Sequence, residues 1–282
     1  MNQFQSDTAL NNVLLEQAEQ FCAELLDHPV LSHYRDEIAI VLKGSTAHGY
    51  SDRYSDVDLV VFCHERHKQA ITDEYVRAGL SSRTDGVFLP LHDWAGHYNT
   101  DTYEKLAEIC SQSSTEYLWE YSGSKILHDP QGIFGQTVKT GLENFQKKLP
   151  RLTKESYLNC QLQLDWLRQP LRRADYGAAM LYAANVYAGV CQTLFLLNGK
   201  PYPCQKWLPY YFLQLPLANS LREKVQSFPG VFAQMHAHFT AGLNLMECPA
   251  YKDGFEIIAE IKKMLREKYG DMPWIDEWYL YV

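Results

Sequence analysis

Asp56 and Asp58 lie in the run Ser55-Asp56-Val57-Asp58-Leu59-Val60-Val61-Phe62, a short way downstream of Gly44-Ser45. Side chains of a strand alternate between its faces, so Val57, Leu59 and Val61 turn to one side and both carboxylates to the other. Two carboxylates held this close repel each other unless a cation lies between them. Hard oxygen ligands at this spacing suit Mg²⁺, which is commonly held by one or two carboxylates together with substrate phosphates. Glu37-Ile38-Ala39-Ile40-Val41-Leu42 reads as a buried strand ending at Lys43, where Gly44 permits a tight turn. Ser45 and the neighbouring N–H groups then offer donors to a phosphate. The chemistry implied is cation-assisted handling of phosphoryl groups. A surface strand with two solvated aspartates is the plainer alternative, but it leaves the adjacent Gly-Ser turn unaccounted for.

Gly44-Ser45, Gly49, Ser55, Asp56 and Asp58, followed by an apolar tail to Phe62, resemble the signature of the nucleotidyltransferase superfamily. That superfamily includes DNA polymerase beta, the CCA-adding enzymes and the aminoglycoside and lincosamide nucleotidyltransferases. The resemblance implies that the Gly-Ser turn contacts a triphosphate. It also implies that Asp56 and Asp58 hold two Mg²⁺ ions bridging the nucleotide, by default ATP, to an attacking hydroxyl. A third carboxylate on a neighbouring strand ordinarily completes such a site. The next strand expected here is Gly86 to Asp93, which lacks a central acid; Asp93 at its far end is the favoured candidate, with Asp85 and His92 as alternatives. Pro90 confines this strand to an edge or a bulge.

The elements that must position these groups read as an α+β protein: a nucleotidyltransferase-type domain with a small mixed sheet over residues 1–148, then an all-helical bundle over 149–282. Helices are expected from Thr8 to about Asp27, His67 to Leu80, Thr102 to Ile109 and Ser114 to Tyr121, with a last strand at Lys125-Ile126-Leu127. Pro150 is expected to end one helix before Thr153 caps the next. Helical spacing follows at Thr153–Arg168, Asp175–Leu197, Ser220–Leu245 and Phe255–Lys268, with Asp175 as N-cap and Asn198-Gly199 as C-cap of the second. Asp175 with Arg172 and Arg173 alternatively faces a ligand cleft. The segment Leu196 to Leu208 resembles the helical region of antibiotic-modifying relatives, in which a lysine approaches the phosphates. That likeness makes Lys206 the carry-over candidate, although a Lys beside Trp207 is also an ordinary snorkelling pair.

Composition limits the substrates. The net charge of −8 comes without a Lys/Arg cluster beyond pairs such as Lys147-Lys148, which disfavours a long nucleic acid. An acidic chain suits a cationic small acceptor such as an aminoglycoside, and solubility accounts for the same charge. Seven cysteines form no C-x-x-C pair and interrupt apolar runs, as small core residues in a reducing compartment do. No uninterrupted apolar run approaches the roughly 18 residues of a membrane span, and a cytoplasmic location is expected. His236-Ala237-His238 has the wrong spacing for a helical zinc pair. The expected activity is Mg²⁺-dependent transfer of a nucleoside monophosphate from an NTP to a hydroxyl of a small molecule, an antibiotic being one class. The alternatives are a protein-AMPylating transferase and a catalytically silent nucleotide-binding module.

Overall fold

The computed structural model describes residues 6–231, 234–235, 237 and 244–282. His236 and His238 lie outside the described residues. The chain divides into two compact units, Met1–Phe145 and Gln146–Val282.

The first unit is built on a five-stranded mixed sheet. Helix α1 (Thr8–Leu26) begins where the Asp7 carboxylate accepts the Leu10 N–H, and its stripe Leu14, Ala18, Phe21 and Leu25 is buried. Strand β1 (Ala39–Lys43) runs directly into the single turn α2 (Gly44–Ala47), and β2 (Val57–Cys63) returns antiparallel to β1. Helix α3 (Glu65–Arg77) leads to β3 (Phe88–Leu91) and β4 (Gly96–Thr102). Helices α4 (Tyr103–Gln112) and α5 (Thr115–Ser122) precede β5 (Lys125–His128). The sheet order is β3-β4-β2-β1-β5, with β4 parallel to β2 and the other pairs antiparallel. Pro90 lies on the edge strand β3, where a missing N–H costs no internal ladder bond.

Val57, Leu59 and Val61 join Phe21, Leu25, Ile71 and Tyr75 in the core beneath α1 and α3. The opposite face of β2 changes character along its length. Val60 and Phe62 are buried there, with Phe62 packed against Tyr103, Tyr121 and Phe134. Asp58, on the same face, is only partly covered. The helices therefore cover the second face at one end of β2 and leave the acidic end open.

The structure departs from the sequence reading at two of the longer elements. One is β4, inserted between β2 and the expected next strand. The other is helix α6, which runs unbroken from Ile133 to Arg173 through both Pro150 and Pro170. Thr153 does not cap a new helix after Pro150; its hydroxyl donates to the Leu149 carbonyl one turn back, inside the helix.

The second unit is helical. Ala174, at φ 54°, breaks α6 from α7 (Tyr176–Leu197), whose first turn is capped by the Asp175 carboxylate accepting the Ala178 N–H at 3.0 Å. Gly199, at φ +71°, follows the C-cap Asn198. Gly189 of α7 lies against Cys160 of α6, and Gly254 of the helix Pro249–Tyr269 lies against Leu164 and Val186. The missing side chains let three helices approach closely. Among the described residues only α7 is long and apolar enough to cross a membrane by length and composition, and 56% of its apolar window is buried within the protein. Within the expected Ser220–Leu245 helix, Asn219–Ser227 is helical and a 3-10 turn at Phe228–Val231 accommodates Pro229, while residues 232–233, 236 and 238–243 lie outside the described residues. None of the seven cysteines forms a disulfide, and all but Cys204 are buried.

Candidate functional site

The site grows from the junction of β1 and α2. Gly44 adopts φ +74°, and a Cβ there would stand 2.8 Å from Asp58 Oδ2. A side chain at this position would be strained by its own backbone and would strike the carboxylate, so glycine is required on both counts. The loop that follows is stitched by hydroxyls. Ser45 Oγ donates to Ser55 Oγ at 3.1 Å, Thr46 Oγ1 to the Asp56 carbonyl at 3.0 Å, and Ser51 Oγ to Asn11 Oδ1 of α1 at 2.6 Å. Ser45, Ser55, Asp56 and Asp58 are thereby gathered beside one turn.

β4 contributes a residue the sequence reading did not name. In the parallel pairing Asp58 is opposite His97. The His97 ring lies between the two acids, with Nδ1 3.1 Å from Asp56 Oδ2 and Nε2 2.5 Å from Asp58 Oδ1. Lys43 Nζ is 3.8 Å from the same Asp58 oxygen. The contact at Nε2 lacks hydrogen-bond geometry, so Asp58 Oδ1 is buried without a hydrogen bond. The side chain of Asp56 is 44% exposed, against 23% for Asp58 and 20% for His97, which makes Asp56 the solvent-facing member.

A second group missed in the sequence comes from α5. Glu120 Oε1 accepts the Gly44 N–H at 2.9 Å. α5 is held there by His48, whose ring stacks on Trp119 at 3.8 Å. Burial holds the His48 imidazole below its ordinary pKa, against the opposing pull of the Glu120 charge.

The remaining predicted residues have surroundings of their own. β3 ends at Leu91, and His92, Asp93 and Trp94 form a turn with φ of 42°, 53° and 71°. His92 stacks on Phe21 and meets Glu24 at 2.7 Å, on the α1 face of the sheet. Asp93 is exposed in this turn. Asp85 is paired with Arg83, which holds its carboxyl below the usual range. Lys206 belongs to the second unit, where its ammonium lies 5.1 Å from the Trp207 ring centre. The arrangement brings Gly44, Ser45, Ser55, Asp56 and Asp58 together, but not Asp85 or His92.

Among the described residues no group of three or more His, Cys, Asp or Glu side chains could hold a metal ion. A hard dication needs only one or two protein carboxylates, with phosphates and water completing its shell. Asp56 and Asp58 fit that role: one imidazole ring meets both carboxylates, and one buried Asp58 oxygen has no hydrogen bond.

No family model and no curated protein matches the chain. Among solved structures, it is similar to a nucleotidyltransferase-like protein from Exiguobacterium sibiricum 255-15, at 11% identity and a TM-score of 0.42, over 90% of this chain and 79% of that one.

Proposed function

We propose that the chain is a nucleotidyltransferase that moves a nucleoside monophosphate from an NTP, ATP by default, to a hydroxyl of a small molecule. The observation that carries this reading is the packing of the Gly44 turn directly against Asp58, which puts a phosphate-sized bend beside paired carboxylates on an open strand face. Asp56 and Asp58 would hold a divalent cation, which when bound supplies charge neutralisation to the polyphosphate and the attacking oxygen. Ser45 Oγ, with Ser55 behind it, is placed to donate to a phosphate oxygen. Lys43, 3.8 Å from Asp58, adds positive charge at the same edge. The acceptor oxygen bonds to the α-phosphorus as the α–β bridging bond breaks, pyrophosphate leaves, and the hydroxyl proton passes to a carboxylate of the site. Catalysis of this kind is chiefly positioning and electrostatics.

The net charge of −8 favours a cationic acceptor, and aminoglycosides are the class to test first. Incubation with labelled NTPs, divalent cations and pools of aminoglycosides, lincosamides or cell lysate tests the reading. A labelled small molecule supports it. A labelled protein shifts the acceptor to the AMPylating alternative, and cation-dependent nucleotide binding with no transfer contradicts catalysis.

A further inference from the structure

A cavity of about 350 Å³ opens between the end of α6 and the start of α7, and all of its lining belongs to the second unit. Trp166, Gln169 and Arg173 line it from α6 at i, i+3 and i+7, the spacing of one helical stripe. Asp175, Ala178 and Tyr182 line it from the other side, with Ala178 contributing only a methyl group. The Trp166 and Tyr182 rings meet edge to face, 6.1 Å apart at 73°. A ring face is left free by that arrangement, and Trp166 is 46% exposed. Arg173 is exposed and, among the described residues, makes no ion pair, whereas Arg168 is held by Asp165 at 2.8 Å. One Asp175 oxygen is committed to the Ala178 N–H. The free charge of the cavity is therefore the guanidinium.

We infer that this cavity binds a purine nucleoside monophosphate, AMP in the first instance, without using the Asp56 and Asp58 carboxylates. The inference is independent of the transferase reading, in which none of these residues takes part. Exposed aromatic faces stack on bases, and a guanidinium fork takes two phosphate oxygens at once. The Gln169 amide carries a donor and an acceptor side by side, which the adenine edge matches. The volume falls within the range of about 300–1,000 Å³ typical of small-molecule sites. An aromatic carboxylate would use the rings and Arg173 but leave Gln169 idle, and a cationic sugar would be repelled by Arg173. The Asp175 charge works against further phosphates, which selects a monophosphate. A long nucleic acid is disfavoured by the net charge of −8.

The test is ligand-observed NMR on the full-length protein, titrated with AMP and with adenosine in EDTA so that no divalent cation takes part. Saturation transfer to the adenine protons is expected, with a Kd of about 1 mM or tighter, the scale of a weak specific complex. Trp166→Ala is expected to weaken AMP by about tenfold or more, as loss of a base–aromatic stack ordinarily does. Arg173→Gln is expected to bring AMP down to the level of adenosine, and Asp56→Asn to leave AMP binding unchanged. Both lining residues are exposed, so both variants should fold, and unfolding curves check this; should Trp166→Ala unfold, Arg173→Gln decides alone. No saturation transfer in the wild type at AMP concentrations of about 5 mM, several times that Kd, overturns the inference. So does AMP binding that a folded Arg173→Gln retains in full, or that Asp56→Asn abolishes, and each of these results leaves the transferase reading standing.

Discussion

β4 and the turn that leads into it offer competing side chains for the place beside Asp56 and Asp58, and the backbone holds them differently. His97 sits in a parallel ladder bonded to β2, with its partner fixed residue for residue. Asp93 stands in a run of three residues with positive φ, exposed, beyond the end of the edge strand. A ladder sets a side chain's position through many hydrogen bonds at once, whereas a turn sets it through few. Proximity in sequence to a strand end is therefore a weaker guide than membership of the neighbouring strand.

The comparison can be broken most sharply at its fixed point. Asp58→Asn is expected to lower transfer by more than about a hundredfold, the scale of losing one electrostatic stabiliser of a transition state, with the unfolding midpoint unchanged. Retention of near-normal turnover by a folded Asp58→Asn would remove the site. Gly44→Ala should follow: a left-handed non-glycine residue costs about 1–3 kcal/mol, and here it also strikes Asp58 Oδ2. Both denaturant stability and nucleotide binding should fall, and loss of stability with intact binding would separate the turn from the phosphate site.

His97→Ala and Asp93→Ala then set the two positions against each other. His97→Ala is expected to weaken transfer by about tenfold or more, and Asp93→Ala to leave it within about twofold, as exposed changes away from a site ordinarily do. Steady-state kinetics on the two variants with the same acceptor checks this, and the reverse ranking would return the third place to the turn.

The smallest effect concerns pH. Burial holds the imidazoles of His48 and His28 below their ordinary value of 6.5. As the pH falls below that value the unfolded chain takes up protons first, so stability should decline toward acid and recover above it. His48→Asn should flatten part of this slope in urea titrations at pH 5.5 and 7.5, and an unchanged slope would show that His48 does not couple α5 to the turn through its charge.

Most of this was legible in the residues. The alternation from Asp56 to Phe62, the glycine at the end of β1, the Asp175 cap and the helical second unit all follow from local periodicity and local sterics. β4 was not legible: Gly96-His97-Tyr98-Asn99-Thr100-Asp101-Thr102 has no apolar run, and its buried Asp101 is satisfied by Lys105 and the Thr102 N–H. A polar strand between two others is stabilised by ladder bonds and by burial of Tyr98, Thr100 and Thr102, both of which depend on long-range pairing. Glu120 was hidden for the same reason, since its partner Gly44 is 76 residues away in the chain. The continuity of α6 through Pro150 ran against a local rule that packing overrode.

The central claim is that the paired acids Asp56 and Asp58 bind a cation–nucleotide complex at the glycine turn. Calorimetric titration of the full-length protein with ATP, with and without a divalent cation, in the wild type and in Asp56→Asn, tests it most directly. Cation-dependent binding by nucleotide concentrations of about 1 mM, the upper end of ordinary KM values, that disappears in a folded Asp56→Asn is the predicted result. Absence of binding in the wild type, or binding indifferent to both the cation and Asp56, would contradict it.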